Sequence, residues 1–345
     1  MSEADNGSTG LGVSLGRLAR RPETGSLVGL ILVYTVFALL GGPVFRGAPG
    51  FSSFLNMAAE VGIIALPVGL LMIAGELDIS VGSVVPASSL TVAIVSGHYD
   101  MPSCLGIGCG LGVGLLVGYV NGLLVTRTTM PSLIITIGTM FGVMGLTLGL
   151  TVLIAGSTGV FITPDPITKS LLGQFVGGMF QVAMFWWAGF IVAIFYLLHL
   201  SPYGNWIFAL GGDRESARNA GIPTRRLTVQ LYMLSGFAAA FVGVTQVMTY
   251  SSAQVAAGHT FIFNSIMCVV IGGVLLTGGS GSVIGIVFGT LTFAIVNQGI
   301  FFSGLDPNIG SIIIGALLLA AVLSNDTFRQ LALSYSGGKT VRAAR

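Results

Sequence analysis

The chain has 345 residues, of which 53% are hydrophobic and only 8% charged, with a mean hydropathy of +0.93. A soluble domain carries about 25% charged residues. These values exclude a soluble globular enzyme and imply an all-α, polytopic integral membrane protein. The formal net charge of +2 says little because the charges are sorted by position, and no nucleic-acid partner is expected.

Glycine is abundant, 52 residues, without a collagen-like period, which suits closely packed transmembrane helices. Cys104, Cys109 and Cys268 fall in apolar stretches and read as buried small hydrophobes. Cys104 and Cys109 are five apart on one expected helix, a poor spacing for a disulfide, and no metal-ligand spacing of Cys or His occurs.

Residues 1–24 are polar and Gly/Ser-rich and read as a disordered cytoplasmic N-terminus. The apolar run after Arg21 is too long for a signal-peptide core, and no A-x-A-like site follows it. Residues 25–325 form the transmembrane domain and 326–345 a cytoplasmic tail. A span needs about 20 mostly apolar residues, which gives ten: 26–45, 57–75, 81–97, 103–125, 131–154, 183–200, 227–250, 262–277, 282–302 and 309–324. Residues 227–305 hold no Lys, Arg, Asp or Glu. Three crossings fit there, broken at Ser251–Gly258 and Gly278–Ser282.

Positive residues concentrate on the cytoplasmic side of membrane proteins. With the N-terminus inside, Arg17, Arg20, Arg21, Arg127, Arg214, Arg218, Arg225, Arg226, Arg329, Lys339, Arg342 and Arg345 are cytoplasmic. Only Arg46 and Lys169 fall outside. Ten spans therefore place both termini in the cytoplasm. Residues 155–182 become the longest outer connection, with Thr163-Pro164-Asp165-Pro166 breaking helix and Phe175–Val182 at the membrane interface. His98 and His259 fall in outer loops and His199 at a span end.

Four groups of residues stand out. In the first, Gly75, Glu76, Asp78, Ser80, Gly82 and Ser83 interrupt apolar sequence, and ionisable groups there mark a functional site or the end of a span. Glu76 and Asp78 are two apart and cannot face one another on a helix. They read as a turn in which Asp78 or Ser80 caps the next helix, and equally as part of a gate or translocation path. The second is the inner loop 201–226, with Gly212, Asp213, Arg214, Glu215, Ala217, Arg218 and Gly221. Asp213 as N-cap, Glu215 in the first turn, Gly221 as the left-handed stop and Pro223 beyond predict a short polar helix of about two turns. It is either a solvated loop helix or a docking element for a soluble partner.

The third group is Gly272, Gly273, Gly278, Gly279, Gly281, Gly285 and Gly289. The last three are spaced by four, a small-residue stripe for close helix contact within the chain or at a dimer seam. The fourth is Glu60, either a surface-level carboxylate near the outer start of the second span or a proton-coupling group. Gly338-Lys339-Thr340 imitates the end of a phosphate-binding loop, but Leu333 stands where the leading glycine is required. The chain is expected to bind no cofactor, ATP included.

At these residues the chain resembles the permease subunit of bacterial ATP-binding cassette (ABC) importers for monosaccharides, the ribose-type branch. Gly75–Ser83 matches that family's G-G-I-D-L-S-V-G-S signature, with Glu76 in place of the second glycine. Gly212, Ala217 and Gly221-Ile222 match its cytoplasmic G-x-x-x-x-A-x-x-x-G-I segment. Val270–Gly273 with Gly278-Gly279-Ser280-Gly281-Ser282 matches V-I-G-G-x-x-x-x-G-G-x-G-S. Where many members carry an E-L-D-A-I run just before V-I-G-G, this chain has Ile262-Phe263-Asn264-Ser265-Ile266, without the carboxylates.

The resemblance implies a permease in the inner membrane that makes and breaks no covalent bond. It implies a cytoplasmic ATPase that binds ATP and grips residues 213–221, a periplasmic sugar-binding protein, and a second permease copy in a homodimer or heterodimer. The rival reading is an ion-coupled secondary transporter using Glu60 or Asp78; a further rival is a channel-like facilitator.

Overall fold

The computed structural model describes residues 22–306, together with 310, 312–316 and 319. Residues 1–21 and the tail bearing Gly338-Lys339-Thr340 lie outside the described residues, and the expected span 309–324 is described only in part.

The apolar runs become helices. In chain order these are α1 (Pro22–Leu40), the short α2 (Gly42–Arg46), α3 (Ala48–Ile73), α4 (Val81–Ala93, prolonged by a π turn to His98), α5 (Ser103–Arg127) and α6 (Ser132–Ala155). Then come α7 (Pro166–Leu172), α8 (Ala183–Phe195, prolonged to Leu200), α9 (Pro202–Gly212), α10 (Arg214–Asn219), α11 (Thr224–Tyr250), α12 (His259–Ile271) and α13 (Val283–Phe302). Among the described residues, 8 helices are long and apolar enough to cross a membrane.

Burial sorts these helices into two shells. More than two thirds of α3, α4 and α11 is buried, whereas α1, α6 and α8 are mostly exposed. The inner helices touch one another: α11 packs on α5, α4 and α3, and α13 packs on α3 and α12, with the outer α1 laid against α13. The outer helices turn Leu, Ile, Val and Phe outward, the surface a bilayer requires.

One stripe explains the tightest crossing. Gly106, Gly110, Gly114, Gly118 and Gly122 recur every four residues on α5, so they share one face. A Cβ at Gly114 would strike the Gly236 carbonyl, and one at Gly118 the Tyr232 carbonyl, both on α11. Gly108 and Gly112, off the stripe, have nothing within 4 Å. With this face turned inward, Cys104 and Cys109 are exposed on α5 and only Cys268 is buried, which corrects the expectation that all three are buried.

Three boundaries differ from the sequence reading. The second span begins at Ala48 rather than residue 57, because Pro49 sits in the first turn of α3, where it lacks only a donor that has no helical partner. Glu60 therefore lies midway along α3, not at its start. The loop 201–226 contains a helix, α9, ahead of the predicted short one. The span expected at 262–277 is α12, only 13 residues, about 20 Å long against a hydrocarbon core of about 30 Å.

The chain reaches α12 through non-helical backbone. Strand β4 (Ser252–Gln254) pairs antiparallel with β1 (Gly159–Phe161), with Val160 opposite Ala253, and a 3₁₀ turn follows at Val255–Gly258. A Cβ on Gly258 would strike the Gly82 carbonyl and the Pro86 ring of α4. The long connection 155–182 thus contains β1, α7 and a hairpin of β2 (Phe175–Val176) and β3 (Phe180–Gln181). The Asn56 side chain ties this hairpin to α3, donating to the Met179 carbonyl at 2.8 Å and accepting from the Gln181 N–H at 2.9 Å.

Candidate functional site

Residues 74–80 form the turn between α3 and α4, and several elements converge on it. Gly75 has φ +80°, a conformation that costs an L side chain roughly 1–2 kcal/mol. Gly278 lies against it: a Cβ there would come within 2.9 Å of the Gly75 Cα and N. The Gly279 N–H donates to the Ile73 carbonyl at 2.8 Å, and a Cβ on Gly211 of α9 would strike that same carbonyl. Bare backbone at 211 and 278 is what allows the segments to meet, while Gly75 supplies the left-handed turn.

Polar side chains fix the rest of the turn. The Leu77 N–H donates to Ser132 Oγ on α6 at 3.1 Å, and the Tyr232 hydroxyl on α11 donates to the Leu77 carbonyl at 3.0 Å. Asp78 is 1% exposed. Its Oδ1 accepts from the Ser80 N–H at 3.0 Å and the Ser80 hydroxyl at 2.6 Å, and its Oδ2 from the Ser235 hydroxyl at 2.8 Å. Asn121 of α5 donates to Ser80 Oγ at 2.8 Å and accepts from the Thr139 hydroxyl of α6 at 2.5 Å. A buried carboxylate without partners is costly; three donors answer this one.

The capping expectation needs one correction. Ser80 occupies the N-cap position of α4 but makes no side-chain cap: its backbone is already helical, its oxygen accepts from Asn121 and its hydroxyl proton goes to Asp78. Asp78 takes the Ser80 N–H in an Asx turn. Ser83 donates back to the Ser80 carbonyl at 2.8 Å. Gly82 lies inside α4 rather than in the turn, and a Cβ there would strike Ile262 of α12.

Glu76 is paired with Arg214, whose Nη2 donates both to Glu76 Oε1 and to Thr228 Oγ1 of α11. The pair joins the turn to α10. Asp213 caps α10 by accepting the Ser216 N–H at 2.6 Å, and the Ser216 hydroxyl together with that N–H holds its carboxyl below the usual aspartate range. Ala217 is the one buried side chain of α10. Gly212, Glu215 and Arg218 are exposed. Gly221 has φ +86° and open space around its Cα, the left-handed stop that ends such a helix.

The glycine series divides in two. Gly285 and Gly289 of α13 press on Gly272 and the Cys268 carbonyl of α12, so this contact is within the chain. Gly281 is not part of that helical stripe, because α13 starts at Val283 with Ser282 as its cap, accepting the Gly285 N–H at 3.0 Å. Gly273 ends the α12 turn, its N–H donating to the Val270 carbonyl at 2.9 Å. His199 Nε2 accepts the Val283 N–H at 3.4 Å. His98 closes the π turn that prolongs α4, and His259 opens α12.

The sequence reading missed Asn121, Ser132, Thr139, Tyr232 and Ser235. Asn121 and Thr139 lie within apolar runs, Ser132 opens α6 just after Pro131, and Tyr232 and Ser235 follow Thr228 and Gln230 on α11, so none forms a motif with its neighbours. It also missed the surroundings of Glu60. Gln246 of α11 donates to Glu60 Oε2 at 2.9 Å, and the Tyr250 hydroxyl lies 3.4 Å from Oε1.

Residues 50–322 match the family described as branched-chain amino acid transport system / permease component. The chain is 31% identical over 318 residues to the fructose import permease protein of Rhizobium meliloti, covering 90% of this chain and 87% of that protein. It is 32% identical over 266 residues to an autoinducer 2 import system permease protein of Photorhabdus temperata (76% and 79%). It is 30% identical over 316 residues to the ribose import permease protein of Bacillus subtilis (87% and 92%). No solved structure matches the chain.

A bundle of membrane-crossing helices that holds a buried polar turn against a capped surface helix defines a membrane permease component. The chain belongs to the family of ABC-importer permeases, in the branch that includes the ribose-type proteins. It is a multi-pass inner-membrane transport component and not an enzyme.

Proposed function

We propose that this chain is the translocating subunit of an ATP-driven importer for a monosaccharide or a related small polyol. The Arg214–Glu76 pair carries the reading. It links a short, exposed, capped helix suited to gripping by a soluble ATPase with the turn that sets the start of α4. Movement of α10 is transmitted through that pair, and through the contact of Gly211 with Ile73 and Gly279, to the α3–α4 turn. Alternating access then follows from ATP binding and hydrolysis on the partner.

Two relatives are named for fructose and ribose, which supports a monosaccharide substrate. In this reading a periplasmic binding protein delivers the sugar, and a second permease copy, identical or related, completes the pathway. Ten crossings put both termini in the cytoplasm. The segment from β4 through α12 counts as one broken crossing, and the partly described 309–324 run as the last.

The test is uptake of radiolabelled sugars into proteoliposomes containing this chain, its ATPase and its binding protein. The expected result is accumulation that requires internal-face ATP and stops when the ATPase is omitted. Accumulation by this chain alone under an ion gradient would support the secondary-transporter reading and overturn this one.

A further inference from the structure

A second polar site lies in the other half of the bundle. Glu60 is about 20 Å along α3 from Ile73, at 1.5 Å per residue, and so is far from the 74–80 turn. Glu60 accepts hydrogen bonds from an amide, Gln246, and a phenol, Tyr250. Gln181 donates to the Tyr250 hydroxyl at 3.2 Å, yet its own Oε1 is buried with no partner, in a residue only 5% exposed. Beside this cluster is a recess of ≈ 200 Å³ lined by Ser89, Gln246, Tyr250, Ser252 and Gln254, among others.

The backbone at the recess is the second observation. Residues 252–258 descend as a strand and a 3₁₀ turn between α11 and α12, packed on α4 at Gly82 and Pro86. Non-helical backbone at membrane depth is tolerated where it is buried in protein or lines a water-filled cavity, and broken helices with neighbouring polar groups mark binding sites in transporters. The chemistry of the lining is that of sugar recognition. Amide and serine oxygens accept from hydroxyls, amide N–H groups and the phenol donate, and each hydroxyl offers both roles. Dispersed polar groups of this kind orient a small solute without binding it tightly.

We infer that the recess lined by Gln246, Tyr250 and Gln254 is a hydroxyl-recognising subsite on the translocation path, with Glu60 positioning Gln246 and Tyr250 from beside it and not acting as a proton carrier. This inference rests on the importer reading above.

The experiment uses the complete importer in proteoliposomes, with D-ribose, D-fructose and xylitol as labelled probes, comparing wild type with Glu60→Gln and Tyr250→Phe. Both variants keep side-chain shape. Each is expected to lower sugar transported per ATP hydrolysed by tenfold or more while stimulation of the ATPase by the binding protein persists. Gln254→Cys, with Cys104 and Cys109 changed to serine, gives an independent reading: a thiol reagent on the exposed residue 254 should block uptake but not ATP hydrolysis.

Unchanged transport per ATP in the two shape-preserving variants, or unchanged uptake after complete labelling at 254, overturns the subsite. An uptake by wild type that follows a proton gradient and is lost in Glu60→Gln overturns it in favour of proton coupling. If wild type accumulates none of the probes, the importer reading for sugars fails; if wild type accumulates them and the variants do so equally, only the subsite fails.

Discussion

Asp78 shows how a single residue can be decisive without being catalytic. Its two oxygens collect three donors from two elements, and Ser80 passes the network on to Asn121 and Thr139. Removing the carboxylate leaves those buried donors unmet, at about 1–3 kcal/mol for each. Asp78→Asn keeps the shape and one acceptor, and the Ser235 hydroxyl can rotate to accept from the new amide. Asp78→Ala should therefore lower the apparent Tm of the detergent-solubilised protein clearly more than Asp78→Asn. Equal Tm values for the two variants would show that the network does not hold the turn. Sequence alone revealed that Asp78 interrupts an apolar stretch. It could not reveal Ser235, 157 positions away, because only the packing of α11 beside the turn brings them together.

Among elements, α5 gives the clearest test of close packing. Its glycine stripe faces α11 and α4, while Gly112 faces open space. Gly114→Ala drives a Cβ into the Gly236 carbonyl and Ala240, an overpacking that costs about 1–3 kcal/mol. Gly112→Ala should instead stabilise the helix by about 0.5–1 kcal/mol. Thermal unfolding of the two variants should shift in opposite directions, and a parallel shift would contradict the assigned face. The period of four was visible in the sequence, yet the same reading applied to Gly281, Gly285 and Gly289 included one residue too many. The Ser282 cap, three before Gly285, is the local signal that excludes Gly281. The sequence reading begins the second span at residue 57, although Pro49 fits the first turn of a helix that starts at Ala48.

Across the whole molecule, the apolar runs made the bundle legible, since length and hydropathy decide what can cross a bilayer. What they could not convey is how its ends are coupled. Residues 252–271 form a strand, a 3₁₀ turn and the short α12 rather than one continuous helix, and the pairing of Arg214 with Glu76 joins residues 138 positions apart. The Arg214 side chain is 46% exposed, so solvent screens the pair and its share of stability is about 1 kcal/mol or less. Its importance is geometric: it ties α10 to the turn between α3 and α4.

The most direct test is a charge exchange across that pair in the reconstituted importer, reading sugar transported per ATP hydrolysed. Arg214→Glu and Glu76→Arg should each reduce the ratio by about tenfold, corresponding to about 1.4 kcal/mol of lost coupling. The double exchange should recover most of it. Normal transport in both single variants, or a double variant no better than either, would contradict the account.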